Sequence, residues 1–250
     1  MTSTSVRSVR RAFEILEVFA RVRRPLSLKD LTSELDCPSS SLADLLKTMS
    51  QIGCLSFDTE TKTYFPTTRL AALGDWVGPE ILPNGDPHEA LGELRAETGE
   101  TILLGTPNDL EIQYLFVLEG PHGPRYLEKP NGRRPLVKSG VGWLVLSKSD
   151  DDAIDRVWRR SIASGLIARK DVPFDTLKDR IAFCRRNGYV AARDSINSDA
   201  AVVAILLPDL RHGRQLAIGI AGPAERIECN TVRIATMLRE RAERLSGIAG

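Results

Sequence analysis

One short segment carries side chains that can bind a nucleic acid. From about residue 39 to Ile52, apolar residues recur at the spacing of an α-helix. The residues predicted to face inward are Leu42, Leu45, Leu46 and Met49. The outward positions are Ser39, Ser40, Ser41, Ala43, Asp44, Lys47 and Thr48. Because hydroxyls bond to base edges and phosphates and lysine suits phosphates, this face predicts contact with double-stranded DNA.

Asp44 has two interpretations, and the residues alone do not choose between them. Its carboxylate can accept a hydrogen bond from cytosine N4 in the major groove, a contact that discriminates between bases by about 1–3 kcal/mol. Alternatively, Asp44 faces solvent or pairs with Lys47 one turn along the helix.

Basic residues elsewhere are candidate phosphate anchors. Residues 1–24 hold six arginines and two glutamates, although the net charge of the whole chain is only +1. The predicted anchors are Arg7, Arg10, Arg11 and Lys62. Basic N-terminal segments are also often merely solvated, so charge alone does not establish DNA binding.

Residues that could support catalysis or hold a metal are scattered. The three histidines (88, 122 and 212) and the four cysteines (37, 54, 184 and 229) lie far apart in sequence. Metalloprotease, serine-hydrolase and P-loop motifs are absent, and the pair Gly140-x-Gly142 lacks the third glycine of a dinucleotide site. We therefore expect no catalytic residue, metal or cofactor, and reduced cysteines.

With no apolar run of membrane-spanning length and no signal peptide, a cytoplasmic protein is expected.

The elements around residues 39–52 predict a winged helix-turn-helix. A first helix has Val6, Val9, Phe13, Leu16 and Ala20 on its apolar face. A second, at about 27–35, begins with a capping box in which Asp30 follows Ser27. Gly53 ends the third helix, and strands near 55–58 and 63–66 form a hairpin. Another helix is predicted at 67–77, before a Gly- and Pro-rich boundary at about 78–86.

The remainder predicts an α+β domain with a largely antiparallel sheet, because its strands and helices do not alternate regularly. Predicted strands lie near 100–106, 111–119, 125–129, 189–194, 200–207 and 215–222. Predicted helices lie near 87–98, 140–148, 150–164, 173–187 and 228–245.

Several segments together resemble the IclR family of bacterial transcriptional regulators. They are SVRRAFEILEVFA, LSLKDLTSELDCPSSSLADLLKTMSQIGCL, TKTYFPTTRLAALG, ELRAETGETILLG, RRPLVKSGVGWLVLS and Ile220-Ala-Gly-Pro223. The resemblance implies a homodimer or dimer of dimers, with a winged DNA-binding domain (1–66), a linker helix and connector (67–85) and a GAF-like effector-binding domain (86–250). The sequence departs from the family at Ser39 and Asp44, where relatives commonly carry basic residues.

Two features of the second domain are compatible with a ligand cavity. In the strand at 215–222, Ala217, Gly219 and Ala221 share one face, so either a ligand fills the space above it or a helix packs unusually close. The helix start at Ser139, Gly140, Val141 and Gly142 exposes N–H groups that favour an anion, although it also fits an ordinary solvated helix start.

The resemblance aligns this helix start with the family's effector loop, and residues 192–202 with the wall facing it. Ala192 and Val202 replace a polar Asp and a Cys of some relatives, and Trp143 replaces the usual Lys. The expected effector is therefore a small carboxylate, with a preference for an aromatic or hydrophobic acid. The predicted contacts are Tyr126, Ser139, Gly140, Val141, Gly142, Ala192, Asp194, Val202, Gly219 and Ala221.

These features favour a transcriptional regulator whose operator binding responds to a metabolite. The alternatives are a ligand sensor that acts through protein partners and has lost DNA binding, and, with less support, a small-molecule enzyme.

Overall fold

The chain folds into two units, Met1–Val77 and Gly78–Gly250. In the computed structural model the described residues are 7–35, 37–77, 87–121, 132–193, 199–208, 210 and 213–246. The boundary between the units falls inside the connector expected at residues 67–85.

The first unit has the element order of a winged helix-turn-helix, as predicted. The helices are α1 (Arg7–Val22), α2 (Leu28–Leu35), α3 (Ser39–Gln51) and α4 (Thr68–Gly74). The strands are β1 (Leu26–Ser27), β2 (Leu55–Asp58) and β3 (Thr63–Pro66). They form an antiparallel sheet in the order β1-β3-β2, in which the β2–β3 hairpin is the wing.

The core of the first unit corrects the face that we predicted for α1. The helix buries Ile15, Val18 and Phe19, whereas Val9 is 56% and Phe13 is 64% exposed. Apolar residues cover more than half of the circumference of α1, so periodicity alone does not select the covered part. In α3, Leu42, Leu46 and Met49 are buried as predicted, but Leu45 is only half-buried.

Local hydrogen bonds fix both ends of the helix-turn-helix. The Ser27 N–H donates to the Asp30 carboxylate (2.9 Å) and the Asp30 N–H donates to the Ser27 hydroxyl (3.2 Å), which confirms the capping box. At the end of α3, Gly53 has a φ of +77°. The Cys54 N–H donates to the Met49 carbonyl and the Gly53 N–H to the Ser50 carbonyl, the pattern of a Schellman motif.

We expect acid to weaken this cap of α2. Hydrogen bonds from the Ser27 N–H and hydroxyl hold the pKa of Asp30 below its ordinary value. A carboxyl whose folded-state pKa is lowered contributes stability above its unfolded pKa, about 3.9, and loses it as the pH falls through the folded value. Asp30→Asn should therefore speed amide hydrogen exchange in α2 at pH 7, and this difference should shrink below about pH 4.

Lys29→Gln, at the neighbouring exposed position, is the control for this prediction. A difference between Asp30→Asn and the parent chain that stays constant from pH 7 to pH 3 would contradict the role of the carboxylate.

The second unit contains a six-stranded antiparallel sheet, which confirms the α+β prediction. The strands are β4 (Thr101–Asn108), β5 (Glu111–Leu118), β6 (Arg133–Pro135), β7 (Val190–Arg193), β8 (Ala200–Leu206) and β9 (Ala217–Pro223). Their order is β6-β5-β4-β9-β8-β7. The strand expected at 125–129 lies outside the described residues, and β6 was not predicted.

Helices cover both faces of this sheet. They are α5 (Pro87–Thr98), α6 (Gly140–Leu146), α7 (Asp151–Ala163), α8 (Phe174–Asn187), α9 (Ala224–Cys229) and α10 (Thr231–Ser246). Helices α6, α7 and α8 form one apolar cluster with one face of the sheet. Helices α5, α9 and α10 form a second cluster with the other face, where Ile218 and Ile220 of β9 point. Each face of the sheet is therefore buried in its own core.

Candidate nucleic-acid interface and effector site

The outer face of α3 is open to solvent where the sequence predicted DNA contacts. Ser39, Ser40, Ser41, Asp44 and Lys47 are exposed, and Ala43 is half-buried. Pro38 precedes the helix in an extended conformation, and no side chain caps the helix start. The hydroxyls at the start of α3 therefore point outward next to backbone N–H groups, which is the arrangement with which a recognition helix approaches base edges and phosphates.

The wing is held in a defined shape by its own turn. The Asp58 carboxylate accepts hydrogen bonds from the N–H groups of Glu60 (2.8 Å) and Thr61 (3.2 Å), and these bonds lower the pKa of Asp58. Lys62 follows with a φ of +56°, in the left-handed region. This turn leaves the Lys62 side chain exposed immediately before β3 begins.

Lys62 shares a groove with the start of α3 and with α2. The groove is lined by Ser27, Leu28, Lys29, Thr32, Ser33, Ser39 and Lys62. Lys29 and Ser33 are exposed, and the sequence analysis did not select them. Their outward position on α2 could have been found from its 3.6-residue period, but the convergence of α2 with the wing depends on tertiary packing.

The three predicted arginine anchors of α1 are not equivalent. Arg7 and Arg10 are exposed, whereas Arg11 is half-buried. The Arg11 guanidinium donates to the Leu35 carbonyl (3.0 Å) and pairs with Glu14 (3.0 Å). Arg11 therefore ties α1 to the end of α2, a positioning role that the sequence did not reveal.

Asp44 lies in a cleft between α1 and α3. The cleft is lined by Arg7, Ser8, Arg10, Arg11, Glu14, Cys37, Pro38, Ser41, Asp44, Leu45 and Thr48. Among the described side chains, Asp44 and Lys47 form no ion pair within 4.0 Å, although Lys47 lies one turn further along α3. The intrahelical pair between Asp44 and Lys47 is therefore not formed. Two interpretations remain, a carboxylate that faces solvent and a carboxylate that contacts a base.

The candidate effector residues meet where α6 begins. The Gly142 N–H donates to the Ser139 hydroxyl (2.9 Å), which caps the helix. A Cβ placed on Gly140 would lie 3.3 Å from the Ala192 Cβ and 3.4 Å from both Val190 and Val202, so these side chains leave little room for a larger residue at position 140. Gly140, Ala192 and Val202 are only half-buried, whereas Ser139, Val141 and Gly142 are buried.

The small side chains of β9 make room for a helix. Ala217 and Ala221 are buried in the cluster formed by α6, α7 and α8. Gly219 is also buried, and a Cβ there would lie 3.0 Å from the Ala204 Cβ. Helix α6 contacts β9 beside Ala217 and Ala221, while the close contacts of Gly219 are with the neighbouring strand β8. Tyr126 and Asp194 lie outside the described residues.

Trp143 is packed beneath the start of α6. Its indole N–H donates to the Val137 carbonyl (2.9 Å), and the Arg180 guanidinium lies 4.3 Å from the centre of a Trp143 ring. The indole is buried. The Trp143 side chain therefore connects α6 to α8 through its contact with Arg180.

Other chemistry is not assembled in the described parts of the chain. There, no group of three or more His, Cys, Asp or Glu residues has the geometry of a metal site. Burial raises the pKa of the Cys184 thiol to about 12, which disfavours a reactive thiolate. Within the same residues, no helix combines the length and apolar character needed to cross a membrane.

Two family models match this chain. The one described as "Bacterial transcriptional regulator IclR C-terminal" matches residues 86–247, and the one described as "IclR helix-turn-helix domain" matches residues 8–59. The chain is 24% identical over 250 residues to the HTH-type transcriptional regulator KdgR of Dickeya chrysanthemi, a match that covers 98% of this chain and 81% of that protein.

Solved structures share the fold. The IclR structure of Thermotoga maritima aligns with a TM-score of 0.67 at 19% identity, over 98% of this chain and 99% of that one. An IclR homologue of Microbacterium hydrocarbonoxydans, complexed with 4-hydroxybenzoate, aligns with a TM-score of 0.64 at 19% identity, over 96% and 98% of the two chains. The proteins of the matched families are transcriptional regulators and not enzymes.

Proposed function

The chain belongs to the IclR family and is a DNA-binding transcriptional regulator, and we propose that a small aromatic or hydrophobic carboxylic acid modulates its binding to an operator read by α3. The observation that carries the DNA-reading part is the open outer face of α3, with its serines beside the groove that holds Lys29 and Lys62. In this arrangement α3 enters the major groove, while α2 and the wing contact the flanking phosphates.

Each group in this interface has a role set by its chemistry. The hydroxyls of Ser39, Ser40 and Ser41 contact bases or phosphates at the start of α3, and Ala43 leaves room for a close approach of the helix. Lys47, Lys62, Arg7 and Arg10 supply positive charge for phosphates. Arg11 contributes indirectly, because its bond to the Leu35 carbonyl sets the position of α1.

Asp44 gives the proposed operator its unusual character. An exposed carboxylate on a recognition helix is repelled by phosphates and is tolerated where it accepts a hydrogen bond from cytosine N4. We expect Asp44→Ala to reduce the preference for cytosine at one operator position by about 1–3 kcal/mol. The affinity for operators that carry another base at that position should change little. Selection of bound sequences from a random duplex pool, with the parent and the variant, measures this change.

Lys47→Ala is the matched control for Asp44→Ala, since it removes a phosphate contact and should weaken all sequences alike. If Asp44→Ala selects the same operator as the parent with the same preference at every position, the carboxylate faces solvent and reads no base.

Two observations support an aromatic or hydrophobic acid as effector. The half-buried wall beside the start of α6 consists of Gly140, Ala192 and Val202, which is apolar. A relative of the same fold was solved with 4-hydroxybenzoate. The N–H groups of Gly140 and Val141 have no partner within the helix, so they favour the carboxylate end of such a molecule.

Calorimetry tests the effector class with named probes. We expect benzoate and 4-hydroxybenzoate to bind more tightly than acetate and succinate. The reason is that only the two aromatic acids have a ring that can pack against the apolar wall. Ala192→Asp should lower benzoate affinity at least about tenfold through repulsion between two carboxylates. Ala163→Asp, an exposed alanine at the end of α7, is the control and should have no effect. Binding of the aliphatic acids alone would refute the preference.

The regulator is proposed to act as a homodimer or a dimer of dimers. Helix-turn-helix proteins commonly read two half-sites one helical turn apart, which requires two winged units related by a two-fold axis. An effector then acts by changing how the two winged units are held relative to each other.

A further inference from the structure

The tip of the wing is acidic, although the wing lies beside the helix proposed to read DNA. The hairpin Leu55–Pro66 carries two acidic residues, Asp58 and Glu60, and one basic residue, Lys62, so its net charge is −1. All three of these side chains are exposed. Affinity for phosphates is supplied by lysine and arginine, which displace counterions from DNA. An acidic tip therefore opposes phosphate binding.

The two carboxylates of the tip are not equivalent. The Asp58 carboxylate accepts hydrogen bonds from the N–H groups of Glu60 and Thr61. The Glu60 carboxylate is exposed and, within the described residues, has no hydrogen bond and no cation within 4.0 Å. The charge of Glu60 is therefore free to act on a neighbouring molecule.

Local hydrogen bonds hold the Glu60 charge in one place. The backbone N–H of Glu60 donates to the Asp58 carboxylate (2.8 Å), and the hydroxyls of Thr61 and Thr63 bond to each other (2.7 Å). Lys62 completes the turn with a φ of +56°. Because the turn uses the backbone of Glu60 and not its carboxylate, a change of that side chain keeps the shape of the tip.

The charges of the turn are separated in space. Lys62 lines the groove that contains Lys29 of α2 and Ser39 of α3, whereas Glu60 is not among the residues of that groove. Glu60 lies instead at the outermost part of the hairpin, midway between the end of β2 and the start of β3. In the proposed interface, Lys62 therefore contacts phosphates beside the recognition helix, and Glu60 extends past them.

The dimensions of DNA place this tip outside the major groove. An α-helix with its side chains is about 10–12 Å wide, and the major groove of B-DNA is about 12 Å wide. When α3 occupies the major groove, the hairpin beside it lies over the phosphate strand that borders the groove. The next groove beyond that strand is the minor groove, so the tip of the hairpin faces it.

The shape of the minor groove sets the cost of a carboxylate at this position. A-tracts have a narrow minor groove with an enhanced negative potential, which attracts arginine and lysine and therefore repels glutamate. Sequences without A-tracts have a less negative minor groove, so they repel glutamate less.

We propose that Glu60 is a specificity-determining residue that acts by repulsion, and that it disfavours operators with an A-tract beside the base pairs read by α3. This inference rests on the DNA-reading surface of the proposed function. It adds a preference at base pairs that α3 does not contact.

Binding of the full-length chain to two duplexes tests this proposal. Both duplexes contain the base pairs that the parent selects from a random pool. They differ only in about half a helical turn of flanking sequence on each side, which is either an A-tract or a mixed sequence. Near 0.05 M salt, where charges are weakly screened, we expect the parent to bind the A-tract duplex about three- to fivefold more weakly. Fluorescence anisotropy measures both affinities.

Variants of Glu60 assign this difference to its charge. Glu60→Gln should bind the two duplexes with nearly equal affinity, and Glu60→Arg should prefer the A-tract duplex. Glu240→Gln removes one exposed carboxylate of α10 and is the matched control, which should keep the preference of the parent. The preference of the parent should also shrink as the salt concentration is raised to about 0.5 M.

Two results would overturn the proposal. One is equal affinity of the parent for the two duplexes at low salt, and the other is a preference of unchanged size in Glu60→Gln. Either result leaves the proposed function intact, because the parent still binds its selected base pairs. If the parent binds neither duplex more tightly than a random one, the proposed function fails and this inference fails with it.

Discussion

Gly142→Ala is expected to destabilise the second unit by about 3 kcal/mol, at the upper end of overpacking effects. A Cβ on Gly142 would clash with the Leu136 carbonyl oxygen and would lie 2.5 Å from the Leu136 Cα. Both are backbone atoms, so neither can move aside as the end of a side chain can. Relief of the clash requires α6 to separate from the preceding turn, which also strains the Ser139 cap at the start of α6.

Gly92→Ala is the matched control for this change. Gly92 lies inside α5, and a Cβ there would meet nothing within 4 Å. The same substitution should therefore raise stability by about 0.5–1 kcal/mol, because alanine loses less backbone entropy in a helix. Trp143 and Trp158 are buried in the second unit, so urea unfolding followed by their fluorescence measures both variants. Equal stabilities for the two variants would show that the contact with Leu136 is not rigid.

The double variant Lys29→Gln/Lys62→Asn is expected to weaken binding to every DNA sequence by about 50-fold near 0.1 M salt. Each lysine that contacts a phosphate displaces about 0.9 counterion, so the slope of log affinity against log salt should become shallower by about 2. Asparagine is chosen at position 62 because it tolerates the left-handed conformation there. Loss of affinity then reports the lost charge and not an unfolded wing.

Lys148→Gln/Lys170→Asn removes two exposed lysines of the second unit and is the matched control. It keeps the net charge equal to that of the test variant, so any difference between them depends on position. Fluorescence anisotropy with an operator duplex and with a random duplex, across a range of salt, measures both variants. An unchanged salt slope in the test variant would exclude the groove of Lys29 and Lys62 from the interface.

Lys47 is the one basic residue of α3, so in the proposed interface the electrostatic part of DNA binding depends mainly on α2, the wing and α1. In the second unit, the indole of Trp143 is fixed between the Val137 carbonyl and Arg180.

Local signals in the sequence were sufficient for most of the helices and strands and for several of their ends. The capping box of Ser27 and Asp30 and the glycine stop at Gly53 were both predicted, because each involves groups within a few residues of one another. The buried row of Leu42, Leu46 and Met49 was also predicted, since one helical period defines it. The outward position of Ser39, Ser40 and Lys47 followed from the same period.

Tertiary structure decided which surfaces are covered, because burial depends on segments that are distant in sequence. The sequence alone favoured Val9 and Phe13 as the buried side of α1, whereas packing against the rest of the unit selects Ile15, Val18 and Phe19. It left the small-residue face of β9 open to either a ligand or a helix, and Ala217 and Ala221 are buried in the cluster that contains α6. The meeting of Lys29 with Lys62 and the bond from Arg11 to Leu35 likewise exist only after the helices have packed.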